Sequence, residues 1–470
     1  MRVRKLLGIT VAIATAITAG LVAFAPPAAA SVFSPGAPGI GDPYFPLEGN
    51  GGYRPLHYDL NLSYDPATKN LAGVMTLTAV ATQNLSSFDL DLQGLNVRSV
   101  SVDSFPAAFS RNGQELTIKP RFGLLRGGPF LVAVKYDGSP QTIVGSPVVF
   151  GAPYGWIYTD DGAFVGCEPN AASTWYPSDD HPSMKATFTY HITVPADRSV
   201  VANGDLQSTR HHGDQTTFTW NETSPMATYL ATIDIGKWQF RNGRTPGGIP
   251  ETTATDPALA TQAAGIYDLT GQVTDYWSKM FGPYSFSSTG AIVDNVPDIG
   301  FSLETQTRPL YGFAAGPGTV SHELAHQWFG DTVSVASWQH IWLNEGFASF
   351  AAWLWTEHTG GLPTAQSALN AYNRFAATSP FWNQSIADPQ RDTMFSSAVY
   401  SRGAMTLAAL RQRIGDDKFF RILQTWTAIH RYSTGTTDQF TSLAQKISGQ
   451  DLSGFFKTWL WDKTKPASFS

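Results

Sequence analysis

The chain has 470 residues, too many for one compact core, and its 42% apolar and 13% aromatic content excludes disorder and implies two or three domains. Charged residues make up only 14%, with a formal net charge of −6 at pH 7. No basic run offsets that balance, which excludes nucleic acid as a partner.

Residues 1–30 open on 'MRVRK', continue through a mostly apolar run from Leu6 to Phe24 and end on 'APPAAA' before Ser31. A basic start, an apolar stretch and a small-residue end make a cleavable secretory signal cut after Ala30, and hence a secreted, extracellular protein with no stable membrane insertion after cleavage. The competing reading is an uncleaved anchor, because the apolar run approaches spanning length. The single cysteine, Cys167, rules out an internal disulfide and reads as a small packing residue.

Residues 31–52, rich in Gly and Pro, read as an extended leader without regular structure. From Tyr53 to about residue 255 short alternating runs such as 'YDLNLSY', 'VMTLTAVAT', 'FLVAVKY' and 'ATFTYHITV' carry Val, Thr and aromatics between turn residues. That alternation predicts an N-terminal domain of antiparallel β structure. From residue 256 to 470 the spacing becomes helical, with Asp256-Pro257 as a start signal and amphipathic segments at 'AMTLAALRQRIG' and 'DDKFFRILQTWTAIH'. The fold class is therefore multidomain α+β, a β domain followed by a mainly helical one.

The second domain carries 'TVSHELAHQWFGD' and, further on, 'WLNEGFASF'. On a helix, His322 and His326 share one face and can aim both imidazoles at a single point, while Glu323 is turned aside, within reach of a water there. Zinc needs a third protein donor and an open fourth corner, and Glu345, at the start of the next helical segment, is the natural candidate. The other histidines have no such arrangement. His211-His212 lies in a turn-like 'RHHGD' and reads as solvated, and His340 reads as a packing or loop residue.

These two motifs, with 'EPNAASTWYPSDDHPSMKATF' and 'YSRGAMTLAALR', resemble the M1 family of zinc aminopeptidases in the gluzincin clan, typified by aminopeptidase N and leukotriene A4 hydrolase. The resemblance covers most of the chain after residue 30. It implies a saddle-like N-terminal β domain, a thermolysin-like catalytic domain, one Zn2+ per chain held by His322, His326 and Glu345, and a short form without the family's C-terminal helical domain. By the same resemblance Glu323 is the general base acting on a zinc-bound water, and Tyr400 in 'YSRGA' stabilises the oxyanion, with Arg402 standing where the family usually has lysine. Glu304 in 'GFSLETQ' and Glu168 in 'GCEPN' match the two family glutamates that bind the free amine of a peptide. Both stand in altered motifs, with Leu303 for Met, Thr305 for Asn and Gly166 for Gln. Ala352 occupies a position where the family often has an acid that braces a ligand histidine, so another carboxylate or a backbone carbonyl must serve.

The function implied is removal of the N-terminal residue from peptides with a free N-terminus. Two alternatives stand beside it. The altered motifs around Glu304 and Glu168 allow a gluzincin endopeptidase, and a retained fold without turnover allows an inactive peptide-binding protein. No residue identifies the pocket for the N-terminal side chain.

Overall fold

The structure, a computed structural model, describes residues 32–469, so the signal read in residues 1–30 lies outside the described residues. The alternating runs form an eight-stranded sheet in the order 205–212, 215–226, 186–195, 53–65, 70–81, 129–138, 96–102 and 105–106. The strand Tyr53–Asp65 shows why. Its Tyr58, Leu60, Leu62 and Tyr64 are buried, while Asp59, Asn61 and Ser63 alternate outward. The sheet is antiparallel except at its centre, where Ala186–Pro195 runs parallel to Tyr53–Asp65. The expected mixed class is borne out: a mostly β first half precedes a helical region.

That helical region contains α1 (Ile266–Met280), α2 (Pro317–His326), α3 (Trp342–His358), α4 (Thr364–Arg374), α5 (Ser397–Ile414), α6 (Asp416–Ile429) and α7 (Thr437–Ser448). Asp256 caps a short 3-10 turn through Ala258 N at 2.6 Å, and the α-helix itself begins ten residues later at Ile266. A five-stranded sheet orders residues 239–244, 250–255, 289–293, 310–311 and 302–303. Its central strand Thr289–Val293 is buried on both faces and so lacks the alternation that betrays a strand in sequence. The edge strand Ser302–Leu303 delivers Glu304 to the helices.

Two further features fix the site. Helices α3 and α5 meet backbone to backbone, for a Cβ placed on Gly403 would stand 2.6 Å from Gly346 Cα. The segment 32–52 holds one two-residue strand, Ser34–Pro35, and sends polar groups inward. Asp42 accepts hydrogen bonds from His181 Nε2 at 3.0 Å and from Trp338 N at 2.9 Å, and so ties the β half to the approach of α3. No helix among the described residues is long and apolar enough to cross a membrane.

Candidate metal centre

Helix α2 starts at Pro317, whose missing N–H is no loss at a first helical position, and ends at His326. Its ligand face is set by the four-residue spacing of His322 and His326. Helix α3 begins at Trp342, placing Glu345 in its first turn against α2. The three donors converge. His322 Nε2 lies 3.2 Å from His326 Nε2 and 3.2 Å from Glu345 Oε2, and His326 Nε2 lies 3.5 Å from the same oxygen. A tetrahedral ion with metal–ligand bonds of about 2.05 Å has edges of about 3.3 Å. The triangle of donors therefore fits zinc without rearrangement.

The tautomer agrees. His326 Nδ1 lies 3.0 Å from Phe329 O, and only a protonated nitrogen can donate to a carbonyl, so the lone pair of the neutral ring faces the other two donors. A backbone carbonyl thus serves His326 as the outer acceptor. His322, by contrast, makes no hydrogen bond through Nδ1 to any described residue. Beside it, Ala352 lines a shallow opening with Ser349 and Ser401.

Around this triangle lie the remaining expected residues. Glu304, Glu323 and His326 bring donor atoms within 4.8 Å of one another. Glu304 is buried, accepts from Tyr229 Oη at 3.5 Å, and is held in place by Gln327, the residue that caps the end of α2. The Gln327 amide donates to Glu304 O at 3.1 Å and accepts from Thr307 N at 2.8 Å. Glu168 has a buried oxygen, Oε1, without a hydrogen-bond partner. The Tyr400 ring lies parallel to that of His322, with centroids 6.0 Å apart. The seven residues singled out in sequence thus gather in one region.

Electrostatics there are one-sided. Burial, then the charges of Glu304 and Glu345, push the Glu168 carboxyl well above its ordinary range. Burial also raises Glu323, against the pull of His326. His326 is raised well above an ordinary imidazole because Glu304 and Glu345 outweigh the opposing effect of burial. Glu345 is held low, since His326 and the hydrogen bonds from both histidines overcome its burial. Tyr400 is pushed well up by burial and the surrounding carboxylates, so its hydroxyl keeps its proton. Among the described residues no lysine or arginine forms an ion pair with any of these four glutamates.

Sequence reading missed Gln327 and Tyr229, which position Glu304, and it saw in Arg402 only a departure from lysine. Arg402 is fully buried and donates to four carbonyls: Trp459 O at 2.8 Å, Gln384 O and Thr458 O at 2.9 Å, and Asp462 O at 2.6 Å. A guanidinium fork can span four acceptors and a single ammonium cannot. Two residues before it, Tyr400 inherits that anchorage.

Comparison with known proteins matches the Peptidase M1 N-terminal domain to residues 54–230 and the Peptidase family M1 domain to residues 316–459. Probable aminopeptidase 2 of Sulfurisphaera tokodaii is 26% identical over 397 residues, 79% of this chain and 49% of its own length. Aminopeptidase A of Gloydius brevicauda is 25% identical over 450 residues, 86% of this chain and 46% of its own. The chain spans about half the length of these curated relatives. An M1 zinc metallopeptidase from Deinococcus radiodurans superposes with a TM-score of 0.84 at 27% identity, covering 91% of this chain and 98% of that one. A mutant of that enzyme bound to a Tyr-Ser-Ala substrate superposes with a TM-score of 0.85.

Proposed function

The chain belongs to peptidase family M1, and from that premise we propose that it is a zinc aminopeptidase that releases the N-terminal residue of peptides. The observation that carries this reading is the charge imbalance of the site. Four glutamates, Glu168, Glu304, Glu323 and Glu345, act on one another and on His326 in a buried setting. A buried excess of negative charge is costly unless cations balance it. A divalent metal and a substrate ammonium group are the two cations such a site is built to receive.

His322, His326 and Glu345 would hold the zinc, which when bound supplies a Lewis acid that polarises a carbonyl and acidifies water. Glu323, next to His322 on α2, accepts the proton of the attacking water and returns it to the leaving amine. Tyr400, its hydroxyl protonated, donates to the oxygen that gains charge as the carbonyl is attacked. Glu304 and Glu168 accept hydrogen bonds from the α-ammonium of the substrate and so set the register of cleavage one residue from the chain end. The enzyme of Deinococcus radiodurans, bound as a mutant to a tripeptide substrate, supports this reading.

The test is a matched pair of peptides, one with a free and one with an acetylated N-terminus. The free form is expected to be cleaved, with activity abolished by a chelator and by Glu323→Gln, which retains zinc. Preference for the acetylated peptide would favour the endopeptidase reading. Export belongs to the same proposal and rests on the sequence of residues 1–30. A mature chain recovered outside the cell and beginning at Ser31 would support it, and one that keeps Met1 would refute it.

A further inference from the structure

A cavity of about 540 Å³ opens beside Glu168 and Tyr400. Part of its lining follows the turn Pro147–Val149, where Phe150 and Tyr154 contribute rings. The Tyr154 hydroxyl donates to Asn170 Oδ1 at 3.0 Å, so the ring is what that residue offers to the cavity. A second stretch supplies Ile299, Phe301 and Leu303, immediately before Glu304, and Phe395 lines the space as well. Gly151 and Gly300 border it with φ of +82° and +67°, and a Cβ on either would meet nothing within 4 Å. Its charged lining groups are Glu168 and Asp298, both acidic, with no cationic residue among the rest. Ser302 lines it too, but its Oγ is enclosed and has no partner.

We propose that this cavity receives the side chain of the substrate's N-terminal residue and selects large aromatic and branched aliphatic residues, while rejecting acidic ones. The inference rests on the aminopeptidase reading above. Glu168 borders both the amine site and the cavity, so an ammonium group held there directs the adjoining side chain into the apolar space. A phenyl or isobutyl group leaves water on entering, whereas a methyl group leaves most of the space unfilled. A carboxylate entering the same space would be desolvated next to two others with no cation to pair it.

The experiment measures kcat/KM of the zinc-loaded enzyme on Phe, Tyr, Leu, Ala and Glu p-nitroanilides. Phe, Tyr and Leu are expected to exceed Ala by about a hundredfold, with Glu below Ala. Ala152→Leu places a larger side chain in the cavity from a half-buried loop position. It should lower the Phe-to-Ala ratio at least tenfold, mainly through KM. Asp298→Lys, at an exposed position, should raise the Glu-to-Phe ratio at least tenfold. An active enzyme that prefers Ala or Glu, or an unchanged ratio in Ala152→Leu, overturns the cavity assignment and leaves the aminopeptidase reading standing. Failure to cleave any free-amine substrate overturns both.

Discussion

Replacing Gly403 by alanine tests how the helices set the site. The added Cβ would stand 2.6 Å from Gly346 Cα, while carbon atoms rest at roughly 3.5–4.0 Å, so α3 and α5 must part by about 1 Å. Overpacking of this kind costs about 1–3 kcal/mol, and the better helix propensity of alanine returns about 1 kcal/mol, so the net loss of stability is modest. Catalysis is hit harder. Gly346 follows Glu345 directly and Gly403 lies three residues after Tyr400, so separation of the two backbones moves the proposed ligand against the proposed oxyanion donor. Displacement of a reacting group by about 1 Å costs on the order of a hundredfold in rate. Steady-state kcat, zinc content and the melting temperature should be read on one preparation, with Gly454→Ala as the control because a Cβ there meets nothing within 4 Å. The expected result is a kcat about a hundredfold lower with the fold retained. A Gly403→Ala variant whose kcat stays within twofold of wild type would show that the close approach of α3 and α5 does not set the site.

Arg402→Lys should lose about 2–4 kcal/mol of stability in denaturant titration, since one ammonium cannot replace four charged hydrogen bonds to carbonyls. Asp179 is buried, and burial pushes its carboxyl from 3.8 up to about 8, with Asp180 adding to the rise against the hydrogen bond from Asn50 N. Its contribution to stability is therefore whole below the unfolded value and is lost as pH climbs toward about 8. Asp179→Asn keeps an acceptor and cannot ionise, so the melting temperature of the variant relative to wild type should rise between about pH 5 and pH 8.5, and a flat difference would contradict the assignment. Gln327→Ala frees the Glu304 segment and should raise KM for free-amine substrates about tenfold while zinc content, measured by metal analysis, stays whole.

Much of the helical half was legible because helices write their geometry into sequence at short range. His322 and His326 lie four apart, and that spacing alone dictates convergence once α2 forms. Glu345 needed an estimate of where the next helix starts, and its place in the first turn of α3 supports that estimate. The five-stranded sheet stayed hidden because Thr289–Val293 is buried throughout and reads like any apolar run. Gln327 was invisible for another reason. Two of its hydrogen bonds reach 20 and 23 residues back in the chain, to a loop that no local pattern brings near α2. The inward pull of Asp42 was equally illegible, because its partners His181 and Trp338 lie 139 and 296 residues away.

The most direct measurement is anomalous scattering at the zinc edge from crystals of the wild-type protein. One peak is expected, about 2.0–2.1 Å from His322 Nε2, His326 Nε2 and a Glu345 carboxylate oxygen, and it should vanish in Glu345→Ala. A zinc-replete crystal with no peak between these three side chains, or with the peak on other residues, would contradict the assignment.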